Sequence, residues 1–306
     1  VHPLTHRRFI ESGRETALIL EDDVDWDIRL RSIQIPLAAK AIRKLLPIKE
    51  AHHRFADFDG SHAQYWGDHD QWDLLYLGHC GDYFQSVSRG PPKVPDDFNL
   101  TAMPHLMYSD PTLPAPYDLH PYTQSFFGEL GMPAHSRIFH RSKWPLCSFG
   151  YAITRAAAQR LLNDLAPPRL KPNGPRAFDV ALMHSCRRSP ETWPPTPVKE
   201  GEPIPPNPGL RCWTLNSELF HHMPGASMID EMSAEEGAAV GIPPVDLAGQ
   251  AQVVARNETM NIDCGFWSGA FAFDDGDTER LHYLQEHVGR RGECLKQRRR
   301  PDELIE

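Results

Sequence analysis

Ala17-Leu18-Ile19-Leu20-Glu21-Asp22-Asp23 is the stretch on which the fold reading turns. Four apolar residues run without polar alternation and stop at three acids. A short continuous apolar run suits a strand covered on both faces, as in a parallel sheet. Ligands of such sheets bind outside the carboxyl ends of the strands, and the acids fall at such an end. In extended chain, residues i and i+2 point the same way. Glu21 and Asp23 can therefore face one ion, with Asp22 turned to the other side. Adjacent carboxylates repel, a cation relieves the repulsion, and hard oxygen ligands suit magnesium or manganese. A solvated acidic turn is the alternative that these residues leave open.

Outward from this run, residues 7–16 read as the end of a helix. Residues 28–46 carry apolar positions at helical spacing, with Pro36 expected to break or kink them. Residues 48–71, rich in His, Asp and Gly, read as a loop. Trp72-Asp73-Leu74-Leu75-Tyr76-Leu77 reads as a second strand ended by Gly78. Trp72 and Tyr76 have rings that stack on sugars, but their strand position makes them core residues first. Residues 88–123 hold many prolines and read as irregular. Cys147 to Ile153 reads as a strand or tight turn around Gly150. Thr154 is then placed to cap a helix whose buried stripe is Ala158, Leu161, Leu162 and Leu165. Pro167-Pro168 ends that helix, and a further one is expected from Phe178 to Cys186, entered at Asp179. Residues 190–208 contain eight prolines and read as a surface insertion. Order returns over 213–222, ending at His221-His222. Residues 226–306 form an irregular, weakly patterned tail with one candidate helix at 278–288. Strands followed by helices predict an α/β domain with a mostly parallel sheet over residues 1–225.

The 306 residues suffice for one large domain or two small ones. Apolar content of 40% and charged content of 24% are ordinary for a folded protein. A net charge of −9 argues against a nucleic-acid partner, which demands surplus Lys and Arg. The basic run Arg298-Arg299-Arg300 sits beside acids and reads as a solvated tail. No apolar run reaches the roughly 18 residues of a membrane span. The chain opens at Val1 without a basic-then-apolar leader, so any leader or anchor is expected to lie outside it. Six cysteines allow 15 pairings and form no C-x-x-C motif. The sequons Asn99-Leu100-Thr101 and Asn257-Glu258-Thr259, with the even cysteine count, favour the secretory pathway, in the ER or Golgi lumen or outside the cell. The histidines at 52, 53, 62 and 69 offer zinc ligands, but their spacing fits no compact zinc motif.

Several segments together resemble glycosyltransferase family 25, which includes lipooligosaccharide and collagen galactosyltransferases. Ala17 to Val24 resembles the family's "LEDD" segment, and Trp72 to Gly78 its "WDxxxLG" strand. Gly150-Tyr151-Ala152-Ile153-Thr154 is similar to "YAIS", and Ala177-Phe178-Asp179 stands where the family has a later acid. Asp25-Trp26-Asp27, Gly78-His79-Cys80-Gly81, Cys147-Ser148-Phe149-Gly150 and Leu219-Phe220-His221-His222 look closest to fungal members. The resemblance covers about residues 5–225.

The resemblance implies a GT-A type nucleotide-sugar-binding fold and a UDP-sugar donor, UDP-galactose or UDP-glucose. It implies a manganese (or magnesium) ion and an inverting transfer to a glycan or glycoprotein acceptor. Glu21, Asp22, Asp23 and Gly150 would line the cofactor and donor site. Glu21, Asp23, His221 and His222 are the candidate metal ligands; one of the two adjacent histidines is expected to serve. Asp179 is the candidate general base, with a helix N-cap as its structural alternative. The family opens with a strand and an Arg-rich stretch before "LEDD"; with about 20 residues ahead of Glu21, that strand is expected to be missing here. The pairs Cys80–Cys147, beside the proposed cleft, and Cys186–Cys212, bracketing the Pro-rich insertion, are expected disulfides. A non-catalytic carbohydrate-binding scaffold on the same fold is the competing reading, and a metal hydrolase ranks behind both.

Overall fold

A computed structural model describes residues 2–22, 24–48, 64–82, 103–113, 127–128, 130–143, 145–167, 175, 177–187, 209–222, 270–291, 293 and 295. Asp23, the 190–208 insertion, both sequons and most of the tail lie outside these residues, as do the histidines at 52, 53 and 62.

Helix α1 (His2–Glu11) leads into strand β1 (Thr16–Leu20) and the short β2 (Val24–Trp26). A wide π-type turn over Leu30–Gln34 runs into α2 (Ile35–Leu45). Pro36 stands in the first turn of α2, where its missing N–H costs nothing, so it starts this helix instead of breaking it. Strands β3 (Leu74–Gly78), β4 (Gly81–Asp82), β5 (His105–Ser109), β6 (Ser136–Arg141), β7 (Pro145–Leu146) and β8 (Gly150–Thr154) follow. Thr154 then caps α3 (Arg155–Arg160), its hydroxyl accepting from the Ala157 amide at 3.3 Å. A π-type turn over Leu161–Leu165 extends α3. Helix α4 (Phe178–Arg187) precedes β9 (Cys212–Asn216) and β10 (Phe220–His222). The tail contributes α5 (Thr278–Leu284), capped by Asp277.

Six strands form one open sheet in the order β1-β8-β3-β9-β6-β5. Only β3 and β9 pair in parallel; the other four pairings are antiparallel. The expected mostly parallel sheet is therefore corrected to a mixed, mostly antiparallel one. The expected two-sided cover of the 17–20 run is corrected as well: β1 is an edge strand. Ile19 points into the core, while Leu18 and Leu20 remain 48% and 37% exposed. Residues 88–123 also contain an edge strand, β5, which the irregular reading omits.

Helices cover both faces. On one, Phe9, Ala157, Leu161 and Leu182 pack with Tyr76, Tyr151 and Ile153. On the other, Ala38, Ile42 and Leu46 pack with Trp72, Leu75, Leu77 and Trp213. Trp72 and Tyr76 are fully buried and belong to the core. Cys186–Cys212 ties α4 to β9, and Cys80–Cys147 joins the connection after β3 to the one before β8, each with a Cα separation of 5.5 Å. Both match the expected pairs. In the chain-entropy account, loops of these lengths are worth about 3 to 4 kcal/mol each.

Candidate functional site

The sheet brings five sequence-distant segments to one end. The Glu21 amide, just past β1, donates to the Phe149 carbonyl at 2.9 Å, just before β8. Ser148 donates its hydroxyl to Glu21 Oε1 at 2.8 Å. Gly78 ends β3 directly opposite Gly150, and two residues later the Cys80 amide donates to Leu146 while Cys80 bonds Cys147. Strand β10 pairs with β2, aligning Phe220 with Trp26, His221 with Asp25 and His222 with Val24.

Two glycines make this convergence sterically feasible. A Cβ on Gly78 would lie 2.8 Å from the Gly150 amide nitrogen and 2.9 Å from the Phe220 carbonyl oxygen. A Cβ on Gly150 would lie 2.8 Å from the Phe220 ring and 2.9 Å from Leu20. Such distances are below ordinary contact, so β10 sits across the ends of β3 and β8 only because side chains are absent there. Gly150, expected to line the donor site, thus also has a packing reason to be glycine.

The loop before β10 is held from several directions. Arg137, buried in β6, pairs with Asp110 at 2.7 Å and donates to the carbonyls of Ser217 and Glu218 at 2.5 and 2.8 Å. Asp110 also accepts from Thr112, and Gln34 donates to the Thr112 hydroxyl. The Leu219 amide donates to Leu77. His79 Nε2 contacts the Leu215 carbonyl at 3.0 Å, and Asn216 Nδ2 lies 2.8 Å from His140 Nε2.

This anchoring sets a cluster of buried ionisable groups at β2 and β10. His221 Nδ1 lies 3.1 Å from Glu218 Oε1, whose side chain is 1% exposed. Asp25, 7% exposed, faces His221 across the strand pair. Burial pushes the Asp25 carboxyl up to about 7, against the opposing pull of His221 and of a hydrogen bond from the Trp26 amide. Asp22 is exposed, and Glu21 is half-buried.

Asp179 lies in the first turn of α4, where its Oδ1 accepts from the Val180 amide at 2.7 Å. That turn packs Ala177 and Val180 against Leu146 and the Cys80–Cys147 disulfide. Asp179 also raises the Tyr76 phenol, after burial the largest influence on it. The helix entry therefore stands beside the strand ends that carry Glu21 and Gly150. Asp179 thus lies inside the first turn of α4, one residue past its start, and its bond runs to the neighbouring amide.

Of the sequence-derived site residues, Glu21, Gly150, Asp179 and His221 are gathered at this end. Asp23 and the His222 side chain lie outside the described residues. Among the described residues, no three His, Cys, Asp or Glu side chains are grouped to hold an ion by themselves. Glu21 carries a carboxylate and His221 an imidazole, donor types that manganese accepts in general. Ser148, Asp25 and Glu218 are participants that sequence reasoning did not assign. Glu218 carried one signal: an acid three positions before a histidine within a single ordered segment.

No helix among the described residues is long and apolar enough to cross a membrane. Compared with known families, curated proteins and solved structures, the chain matches none.

Proposed function

We propose that this chain is a metal-dependent inverting glycosyltransferase with a GT-A type fold, moving galactose or glucose from a UDP-sugar to a glycan or glycoprotein acceptor. One observation carries the reading. Segments around residues 21, 78–80, 147–150, 177–180 and 218–222 converge at one end of the sheet. These are the segments on which the resemblance to glycosyltransferase family 25 rests. Their convergence supports the reading.

In this reading Glu21, Asp23 and one histidine of the 221–222 pair hold the cation, and magnesium is the alternative to manganese. When bound, the ion neutralises charge on the departing nucleotide diphosphate. Ser148 orients Glu21 through its hydroxyl. Asp179 takes the proton from the attacking acceptor hydroxyl; its bond to the Val180 amide holds one carboxylate oxygen. The two disulfides agree with folding in an oxidising compartment, which supports the secretory pathway as the place of action.

The test is turnover of UDP-galactose and UDP-glucose with and without Mn2+. Release of UDP that needs Mn2+ and disappears in Glu21→Gln and Asp23→Ala is expected. A chain that binds neither UDP nor Mn2+ by calorimetry, yet binds glycans, would instead be the carbohydrate-binding scaffold.

A further inference from the structure

The two disulfides stand in different surroundings. Cys186 and Cys212 are 4% and 1% exposed and lie inside the core between α4 and β9. Cys80 and Cys147 are both half-buried, with one flank of their bridge packed on Leu146, Val180 and Met183. Cys147 also forms the corner between β7 and β8. There it takes a φ of 61°, in the left-handed region that residues with a Cβ rarely occupy. Such a conformation persists only where the surroundings hold it. The β4–β7 ladder ends at Leu146, and β8 begins at Gly150. Residues 147–149 therefore lie between two ladders, and the disulfide is their covalent hold. The next two residues carry Glu21. Ser148 donates its hydroxyl to Glu21 Oε1 at 2.8 Å, and the Phe149 carbonyl accepts from the Glu21 amide at 2.9 Å.

We infer that Cys80–Cys147 is a reducible bridge that controls the position of Glu21, while Cys186–Cys212 is a permanent structural one. Accessible and strained disulfides are the labile ones. A dithiol reductant supplies the two electrons. One of its thiolates attacks a sulfur of the bridge, forming a mixed disulfide and releasing the other cysteine as thiolate. The reductant's second thiolate then closes a disulfide within the reductant and frees the remaining cysteine. Two protons complete the two thiols. With the bridge open, Cys147 leaves the left-handed region, Ser148 and Phe149 turn with it, and both bonds to Glu21 loosen. The inference stands apart from the metal-dependent reading, since it needs neither cation nor sugar nucleotide.

The native whole chain is treated with rising dithiothreitol, its thiols are trapped with iodoacetamide, and mass spectrometry of the peptides locates them. Cys80 and Cys147 should open at a dithiothreitol concentration about tenfold or more below that for Cys186 and Cys212. NMR then reads amide hydrogen exchange in the selectively reduced chain. Exchange at Glu21 should speed up about tenfold or more, while Tyr76 in the middle of the sheet keeps its oxidised rate. Both readings use the wild-type chain and need no variant to fold. Two double variants separate the corner from the loss of a cross-link. Cys80→Ala with Cys147→Ala should exchange at Glu21 as fast as the reduced protein. Cys80→Ala with Cys147→Gly should stay within a few-fold of the oxidised chain, because glycine holds a positive φ unaided. Opening of both bridges together, or of Cys186–Cys212 first, overturns the inference. So does unchanged Glu21 exchange after selective reduction, or equal exchange in the two double variants.

Discussion

Asp110 and Asp25 are both buried aspartates tied to the segment 217–221, Asp110 through Arg137 and Asp25 through its alignment with His221. Burial pushes both carboxyls up. At Asp110 the adjoining Arg137 charge and hydrogen bonds from Thr112 and Arg137 outweigh it, and the group is held below its ordinary value. At Asp25 burial wins, and the group rises to about 7 despite His221 and the Trp26 amide. The first is a fully compensated charge that fixes the scaffold. The second is a charge the fold tolerates at a cost, and such groups cluster at sites of chemistry. The two regions meet at Arg137, which joins Asp110 to the carbonyls of Ser217 and Glu218. The compensated pair thereby holds the segment that leads into β10.

Breaking the satisfied side should have the largest effect. Arg137→Met removes the partner of a fully buried Asp110 and strips the Ser217 and Glu218 carbonyls of their donor. A loss of about 3–5 kcal/mol is expected, because an uncompensated charge is left inside. Urea denaturation measures it. A loss under about 1 kcal/mol would mean that the pair contributes little to the scaffold.

The contact between the two regions is sharpened next by Gly78→Ala. The new methyl would meet backbone of β8 and β10 at 2.8 to 2.9 Å, so neither side chain nor rotamer can absorb it. Overpacking of this kind costs about 1–3 kcal/mol. Because β10 must lift away, Mn2+ affinity should fall together with stability. Gly150→Ala, which meets the end of Leu20 and the buried Phe220 ring instead of backbone, should cost less by the same denaturation assay.

The scaffold side also has a pH signature. Burial pulls His140 down to about 3, and His140 is neutral in the fold with Asn216 and the Arg141 carbonyl as partners. Unfolded, it titrates near 6.5. Between these values the unfolded chain binds the proton and the folded chain does not, so stability rises with pH. The contribution is complete above pH 6.5 and is lost as pH falls toward 3. The slope approaches 1.4 kcal/mol per pH unit, so about 2 kcal/mol should vanish between pH 6.5 and 5. Unfolding free energies of wild type and His140→Asn over that range should differ in slope by this amount. Equal slopes would remove His140 from the account.

Much of the scaffold was legible in sequence, and its errors have physical causes. The run at 17–20 announced a strand, but continuous apolarity does not state on which side neighbours lie. Leu18 and Leu20 face outward on an edge, and the pairing with β8 is antiparallel. Strand β6, Ser-Arg-Ile-Phe-His-Arg, was not recognisable because its buried Arg137 and His140 look like surface residues until their partners are known. Strand β5 hides in a proline-rich stretch because its outward positions, His105, Met107 and Ser109, alternate with only half-buried ones. At the candidate site, Glu21, Gly150, Asp179 and His221 were recoverable because they carry recognisable residue types at segment ends. Glu218 and Asp25 were not assigned, since what distinguishes them is burial, and burial is decided by contacts such as the Arg137 clamp and the β2–β10 register.

The smallest expected effect is also the most discriminating. Asp25→Asn keeps the shape of the side chain and removes a charge that the fold opposes. At Asp110 the same change strands Arg137 and should cost several kcal/mol, of the order of breaking a buried pair. At Asp25 the desolvation that raises its pKa is relieved at neutral pH, which offsets any hydrogen bond lost. Stability at pH 7.5 should therefore stay within about 1 kcal/mol of wild type, with a gain as the favoured sign. Paired denaturation curves for Asp25→Asn and Asp110→Asn measure the contrast directly. Equal losses at the two positions would show that Asp25 is another compensated scaffold charge, and the division between the two aspartates would fail.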